Sequence, residues 1–164
     1  MHDTRILMGM PITVEIVDDA PERLLDEVFD YFAAIDARFS VFKPDSEISA
    51  LNHGRIAVAD VSTEMQEVLG LAERTKRETD GYFEIRRSDG LVDPCGIVKG
   101  WAIRNAADLI RRSGARDFYV DAGGDIQTCG MNQDGEDWRI GIRNPFNERE
   151  IIKEIGRASC RERV

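Results

Sequence analysis

The stretch from Asp93 to Ile126, DPCGIVKGWAIRNAADLIRRSGARDFYVDAGGDI, restricts this chain more than any other. Asp93-Pro94 favours a turn start, and Gly96 can adopt backbone angles closed to other residues. Ile103, Ala106, Ala107 and Ile110 recur at i, i+3, i+4 and i+7, the spacing of one buried helix face. Gly114 follows Arg111 and Arg112, so the helix stops there with cations at its negative end. Phe118-Tyr119-Val120 reads as a short buried strand, which Gly123-Gly124 breaks between Asp121 and Asp125. Two glycine turns that carry acids thus bracket one helix, a layout that brings main chain close to a ligand.

The flanking chain supplies the scaffold. Ile12, Val14 and Ile16 alternate with Thr13 and Glu15, which predicts a half-buried strand over Ile12–Val17. Asp19-Ala20-Pro21-Glu22 starts a helix near Ala20–Ala37, with Leu25, Val28, Phe29, Phe32 and Ile35 as its apolar stripe. A capping box of Thr63 and Gln66 opens a second helix near Thr63–Thr79, and the central helix falls near Lys99–Ser113. Further strands are expected at Phe118–Asp121 and Trp138–Arg143, and Ile151, Ile152 and Ile155 begin another. The fold class is α+β, with helices flanking an antiparallel or mixed sheet.

Composition narrows the function. A chain of 164 residues with net charge −9 and pI near 4.8 is a poor partner for nucleic acid or anionic membrane. Cys95, Cys129 and Cys160 are an odd set without CxxC spacing, so neither a disulfide scaffold nor a zinc site is expected. The polar start and the short apolar run Ile6–Pro11 do not read as a signal peptide, and no segment reads as a membrane span; the expected location is the cytoplasm.

The blocks DPCGIVKGWA and DAGGDI, in that order around a helix, resemble the FAD:protein FMN transferases, the ApbE-type flavin transferases. Other blocks agree: Met8-Gly9-Met10 resembles the family's opening M-G-T, and Phe39 to Asn52 (FSVFKPDSEISALN) resembles F-S-x-[YF]-x-P-x-S-E-[IL]-S-x-L-N. Thr79 to Glu84 (TDGYFE) resembles the T-x-G-x-F-D turn, and Trp138 to Pro145 (WRIGIRNP) resembles W-x-[IV]-G-I-x-x-P. The departures are Met10 for Thr, Glu84 for Asp, Cys95 for Gly or Ser, and Asp121 for Asn.

The resemblance implies a two-lobed fold with FAD in the cleft, and transfer of FMN from FAD onto a Thr or Ser hydroxyl of an acceptor protein, releasing AMP. Phosphoryl-type chemistry across a pyrophosphate calls for charge neutralisation, and magnesium is the expected ion. Carried over position by position, the resemblance implies flavin-nucleotide contacts at Met8, Phe42, Tyr82, Phe83, Glu84, Asp93 and Lys99, and a metal-facing oxygen at Gly96. It also implies a further segment that completes the metal site. Gly156 to Val164 (GRASCRERV) has no apolar periodicity, so residues 1–155 are expected to form the N-terminal and central part of the domain and 156–164 a foreign tail on a truncated chain. Two other readings remain open: an FAD-binding or flavin-sequestering module without turnover, and hydrolysis of FAD to FMN and AMP.

Overall fold

Alternation in Ile12, Val14 and Ile16 puts three side chains of no solvent exposure on one face of a strand, and the sheet is built around them. The computed structural model describes residues 1–156, the side chains at 148 and 149 excepted. The expected foreign tail lies, beyond Gly156, outside the described residues. The main sheet has the order β1 (His2–Leu7), β2 (Met10–Ile16), β3 (Phe118–Ala122) and β4 (Asp125–Cys129), with every pairing antiparallel. Opposite Val14 lies Val120, and opposite Ile16 lies Phe118, so the two central strands bury one continuous apolar face.

Helices α1 (Arg23–Phe39) and α4 (Cys95–Arg112) cover that face. Phe29, Phe32 and Ile35 from α1 meet Ala102, Ala106, Ala107 and Ile110 from α4 in one core. Alanines on α4 leave room for the phenylalanines of α1. A buried Phe of this kind contributes roughly 1.5–3 kcal/mol through the area it removes from water. Helices α2 (Glu47–Asn52) and α3 (Thr63–Glu78) extend the helical layer. A separate hairpin of β5 (Arg139–Asn144) and β6 (Asn147–Gly156) follows the main sheet, and Trp138 at its base stacks on Tyr119 with ring centroids 5.5 Å apart.

The α+β class holds and the sheet is antiparallel throughout the described residues. Several local expectations are corrected. The central helix begins at Cys95, not Lys99, because Asp93 Oδ1 accepts a hydrogen bond from Cys95 N–H (3.1 Å) and holds the first turn. Gly96 sits inside that helix and not in a left-handed turn; a Cβ there would come within 3.1 Å of the Phe83 ring, so close packing is what suits glycine. The cap of α3 is Ser62, whose Oγ accepts from Met65 N–H (3.2 Å), while Gln66 turns back to the Val61 carbonyl (3.0 Å). The α1 start has no side-chain cap; Leu24 N–H donates to the Pro21 carbonyl (2.8 Å) instead. Strands β1 and β4 and helix α2 add to the elements expected from periodicity.

One side chain links the layers that carry the site. Asn52, at the end of α2, donates through Nδ2 to the Val92 carbonyl (2.9 Å) and accepts at Oδ1 from Val92 N–H (2.8 Å). The amide acts as a strand partner for a single residue and fixes the loop that enters Asp93 and α4. Asn52→Ala should lower stability by about 1–3 kcal/mol, since it strands two part-buried backbone groups. Urea denaturation measures this; a change below about 0.5 kcal/mol would mean that the loop is held without the clamp.

Candidate functional site

A cleft of about 510 Å³ opens between the β1–β2 turn, the end of α1 and the first turns of α4. Met8, Gly9 and Met10 form one wall, Ile35, Phe39 and Phe42 a second, and Cys95, Val98 and Lys99 a third. Each wall has a local cause. Met8 and Gly9 link β1 to β2 with φ of +52° and +74°, the two positive angles that a tight hairpin turn requires. Placing a non-glycine residue there costs on the order of 1 kcal/mol, and it sets Met8 at the lip of the cleft.

Phe39 and Phe42 separate sharply although only three positions apart. Phe39 is buried and packs edge-on against Trp101 with centroids 5.7 Å apart. Helix α1 ends at Phe39, and Phe42 projects from the following turn with 91% of its surface exposed. An aromatic ring left in solvent beside an apolar cleft is placed to stack on a flat ligand.

Charge in the cleft comes from Lys43 and Lys99. Lys43 Nζ lies 2.5 Å from Asp36 Oδ2, and Lys99 Nζ lies 2.8 Å from Asp125 Oδ2. Asp125 opens β4, directly after the Gly123–Gly124 turn. That turn is tied down by Gly123 N–H donating to the Pro11 carbonyl (3.0 Å) and Gly124 N–H donating to Asp121 Oδ1 (2.7 Å). Asp121, which departs from the family pattern, is thus spent on the turn, and its neighbour Asp125 meets the lysine. Cys95 faces the cleft as a thiol: desolvation, reinforced by the Asp93 carboxylate, pushes it up to about 12.

The structure therefore brings Met8, Phe42 and Lys99 together and adds Met10, Phe39, Cys95 and Val98, which the motif blocks do not assign to a flavin contact. The other expected contacts lie apart from this cleft. Asp93 accepts from the Cys95 N–H at the start of α4, Phe83 packs its ring against Gly96, and Tyr82 is 96% exposed on the turn at Asp80-Gly81. Glu84 pairs with Lys76 and lines a second cavity of about 410 Å³, with Leu69, Arg86 and Val92. The Lys76 hydrogen bond, joined by Arg86 N–H, holds the Glu84 carboxyl below the usual range. Its contribution to stability is present above the ordinary carboxylate pKa and is lost as pH falls through the depressed value.

Gly96 is the expected metal position. Among the described residues no group of three or more His, Cys, Asp or Glu side chains converges on a possible ion site. The residues present there do not fit a magnesium site by themselves.

An antiparallel sheet backed by α1 and α4, with an apolar cleft rimmed by paired lysines at the start of α4, is the ApbE-like α+β fold. Solved structures align with it closely: the flavin transferase ApbE of Vibrio cholerae superposes with a TM-score of 0.76 at 21% identity over 95% of this chain and 66% of that one. The ApbE protein of Thermotoga maritima gives a TM-score of 0.81 at 16% identity, over 95% of this chain and 67% of that one. Residues 8–89 and 86–161 match the ApbE family model, and the chain belongs to that family. Among curated relatives, an FAD:protein FMN transferase of Vibrio cholerae is 38% identical over 64 residues, covering 39% of this chain and 19% of the relative. Another, from Haemophilus influenzae, is 22% identical over 209 aligned positions, covering 91% of this chain and 60% of the relative. The chain thus spans less than two thirds of the length of these curated relatives. No helix among the described residues is long and apolar enough to cross a membrane.

The glycine turn offers a direct check on the cleft wall. Gly123 has φ of +58°, and a Cβ there would lie 3.0 Å from Met10 Sδ. Gly123→Ala should cost about 1–2 kcal/mol from the left-handed backbone alone, and it should push the Met10 side chain. Chemical denaturation reads the first effect; a loss of only a few tenths would show that the turn relaxes freely.

Proposed function

We propose that this chain carries the flavin-nucleotide cleft of an FAD:protein FMN transferase, the activity named for its curated relatives. In this reading FMN passes from FAD to a Thr or Ser hydroxyl of an acceptor protein and AMP leaves. The observation that carries the proposal is the meeting of Met8, Phe42 and Lys99, from three distant parts of the sequence, around one cleft of about 510 Å³. Packing alone gives no reason for an exposed phenylalanine and a lysine to flank the same apolar hollow.

The division of labour follows from the side chains. Phe42 and Met8 offer apolar contact to the flat isoalloxazine ring. Lys99 offers charge-assisted hydrogen bonds to the diphosphate, and Asp93 keeps the first turn of α4, and so Cys95 and Lys99, in position. In the transfer itself the acceptor oxygen bonds to the phosphorus of the FMN half. The bond from that phosphorus to the bridging oxygen breaks, AMP takes the electron pair, and the hydroxyl proton is lost. Such displacement depends on alignment and neutralisation of charge more than on a covalent catalyst. A divalent ion such as magnesium, were one held by residues beyond those described, would supply charge neutralisation at the diphosphate.

Flavin titration tests the site. FAD should bind more tightly than FMN. Lys99→Ala should weaken FAD by about 1.5–3 kcal/mol, the scale of a hydrogen bond involving a charged group. Phe42→Ala should weaken FAD and FMN alike, since it removes contact with the ring. Fluorescence titration with and without magnesium reads both effects, and equal FAD affinity in all three proteins would refute the assignment. Flavin that stays with acid-precipitated acceptor marks transfer; free FMN and AMP alone would favour hydrolysis.

A further inference from the structure

We infer that Asp125 is a specificity-determining residue of the cleft: by pairing with Lys99 it sets how strongly the site favours phosphate-bearing flavins over neutral ones. The inference rests on the flavin-site reading above and adds a residue that does not line the cleft. Lys43, Lys99 and Asp36 are the charged side chains that line it. Asp36 engages Lys43, and Asp125 reaches in from β4 to engage Lys99 at 2.8 Å. With Asp125 the cleft carries no net charge; without it the cleft carries one positive charge. A single carboxylate therefore decides its sign.

The position of Asp125 does not depend on the lysine. It pairs with Ala122 to close the β3–β4 hairpin, and the turn between them is fixed through Pro11 and Asp121. A diphosphate that approaches Lys99 must compete with a carboxylate that stays in place and repels it. A neutral isoalloxazine meets no such competition. In the pair, the Lys99 side chain is 32% exposed and that of Asp125 is 55% exposed, so the competition has the strength of a solvent-screened ion pair, up to about fivefold in affinity.

The test is flavin titration of wild type, Asp125→Asn, Lys99→Ala and the double variant, with FAD and riboflavin as probes at low and high salt. Asp125→Asn should tighten FAD by up to about fivefold at low salt, with riboflavin unchanged and the gain shrinking as salt screens the charges. The double variant should show no gain over Lys99→Ala, because the effect acts through that ammonium. Asp125→Ser serves as a second variant should the asparagine disturb the turn, and thermal melts of both check the fold. Unchanged or weakened FAD binding in a folded Asp125 variant, while wild type binds both flavins, overturns this inference and leaves the flavin site standing. A gain of equal size for riboflavin also overturns it. Absence of flavin binding in every variant removes both readings together.

Discussion

The seating of α4 on the β2–β3 face is the constraint on which the rest of this structure depends. Ala102, Ala106 and Ala107 are small enough for the helix to lie close against the sheet, beside Phe29 and Phe32 of α1, and all five are essentially inaccessible to water. That packing fixes where the first turns of α4 emerge. Cys95, Val98 and Lys99 consequently form a wall of the cleft, opposite the Met8–Gly9 turn at the end of the same sheet. Protein interiors transmit small displacements because they are close-packed. Enlarging one of these alanines would therefore shift Lys99 relative to Met8, although none of the alanines lines the cleft.

Electrostatics add a second layer. A chain of net charge −9 repels anions at long range, and both cations in the cleft are already engaged by carboxylates. What the cleft offers outright is apolar surface: Met8, Met10, Ile35, Phe39, Phe42 and Val98. In the proposed site the apolar surface receives the ring, while the phosphates must compete with Asp36 and Asp125 for the lysines. This balance suits a flavin nucleotide better than a simple phosphorylated metabolite, which would bring charge and no ring. The separate cavity beside Lys76, Glu84 and Arg86 has no aromatic on its lining, so it lacks the ring contact that singles out the first.

Much of this is legible in the residues, for physical reasons that differ by element. The strand at Ile12–Ile16 and the buried face of α4 follow from strict periodicity, which places both to within a few residues. Strand β1 escapes such a reading, because its sequence HDTRIL is polar and its partner is set by the Met8–Gly9 turn. Periodicity puts the start of α4 four residues late because Asp93 accepts from the Cys95 N–H of the first turn, a bond that no apolar pattern reports. In the site, motif blocks point to Met8, Phe42 and Lys99. They do not reveal that Phe39 is buried while Phe42 stands exposed, which only the end of α1 decides, nor that Lys99 finds Asp125 and not Asp121. Long-range pairing of side chains leaves no trace in local spacing.

The central claim is that flavin binds between the Met8–Gly9 turn, Phe42 and the first turns of α4. Amide hydrogen exchange with and without FAD tests it most directly, because it locates the ligand whether or not the chain turns over. Added protection is expected in the segments 8–10, 39–43 and 95–100, with the loop around Glu84 and Arg86 unchanged. Protection confined to that loop and to the end of α3 would place the nucleotide in the cavity beside Lys76 and Glu84 and contradict this placement.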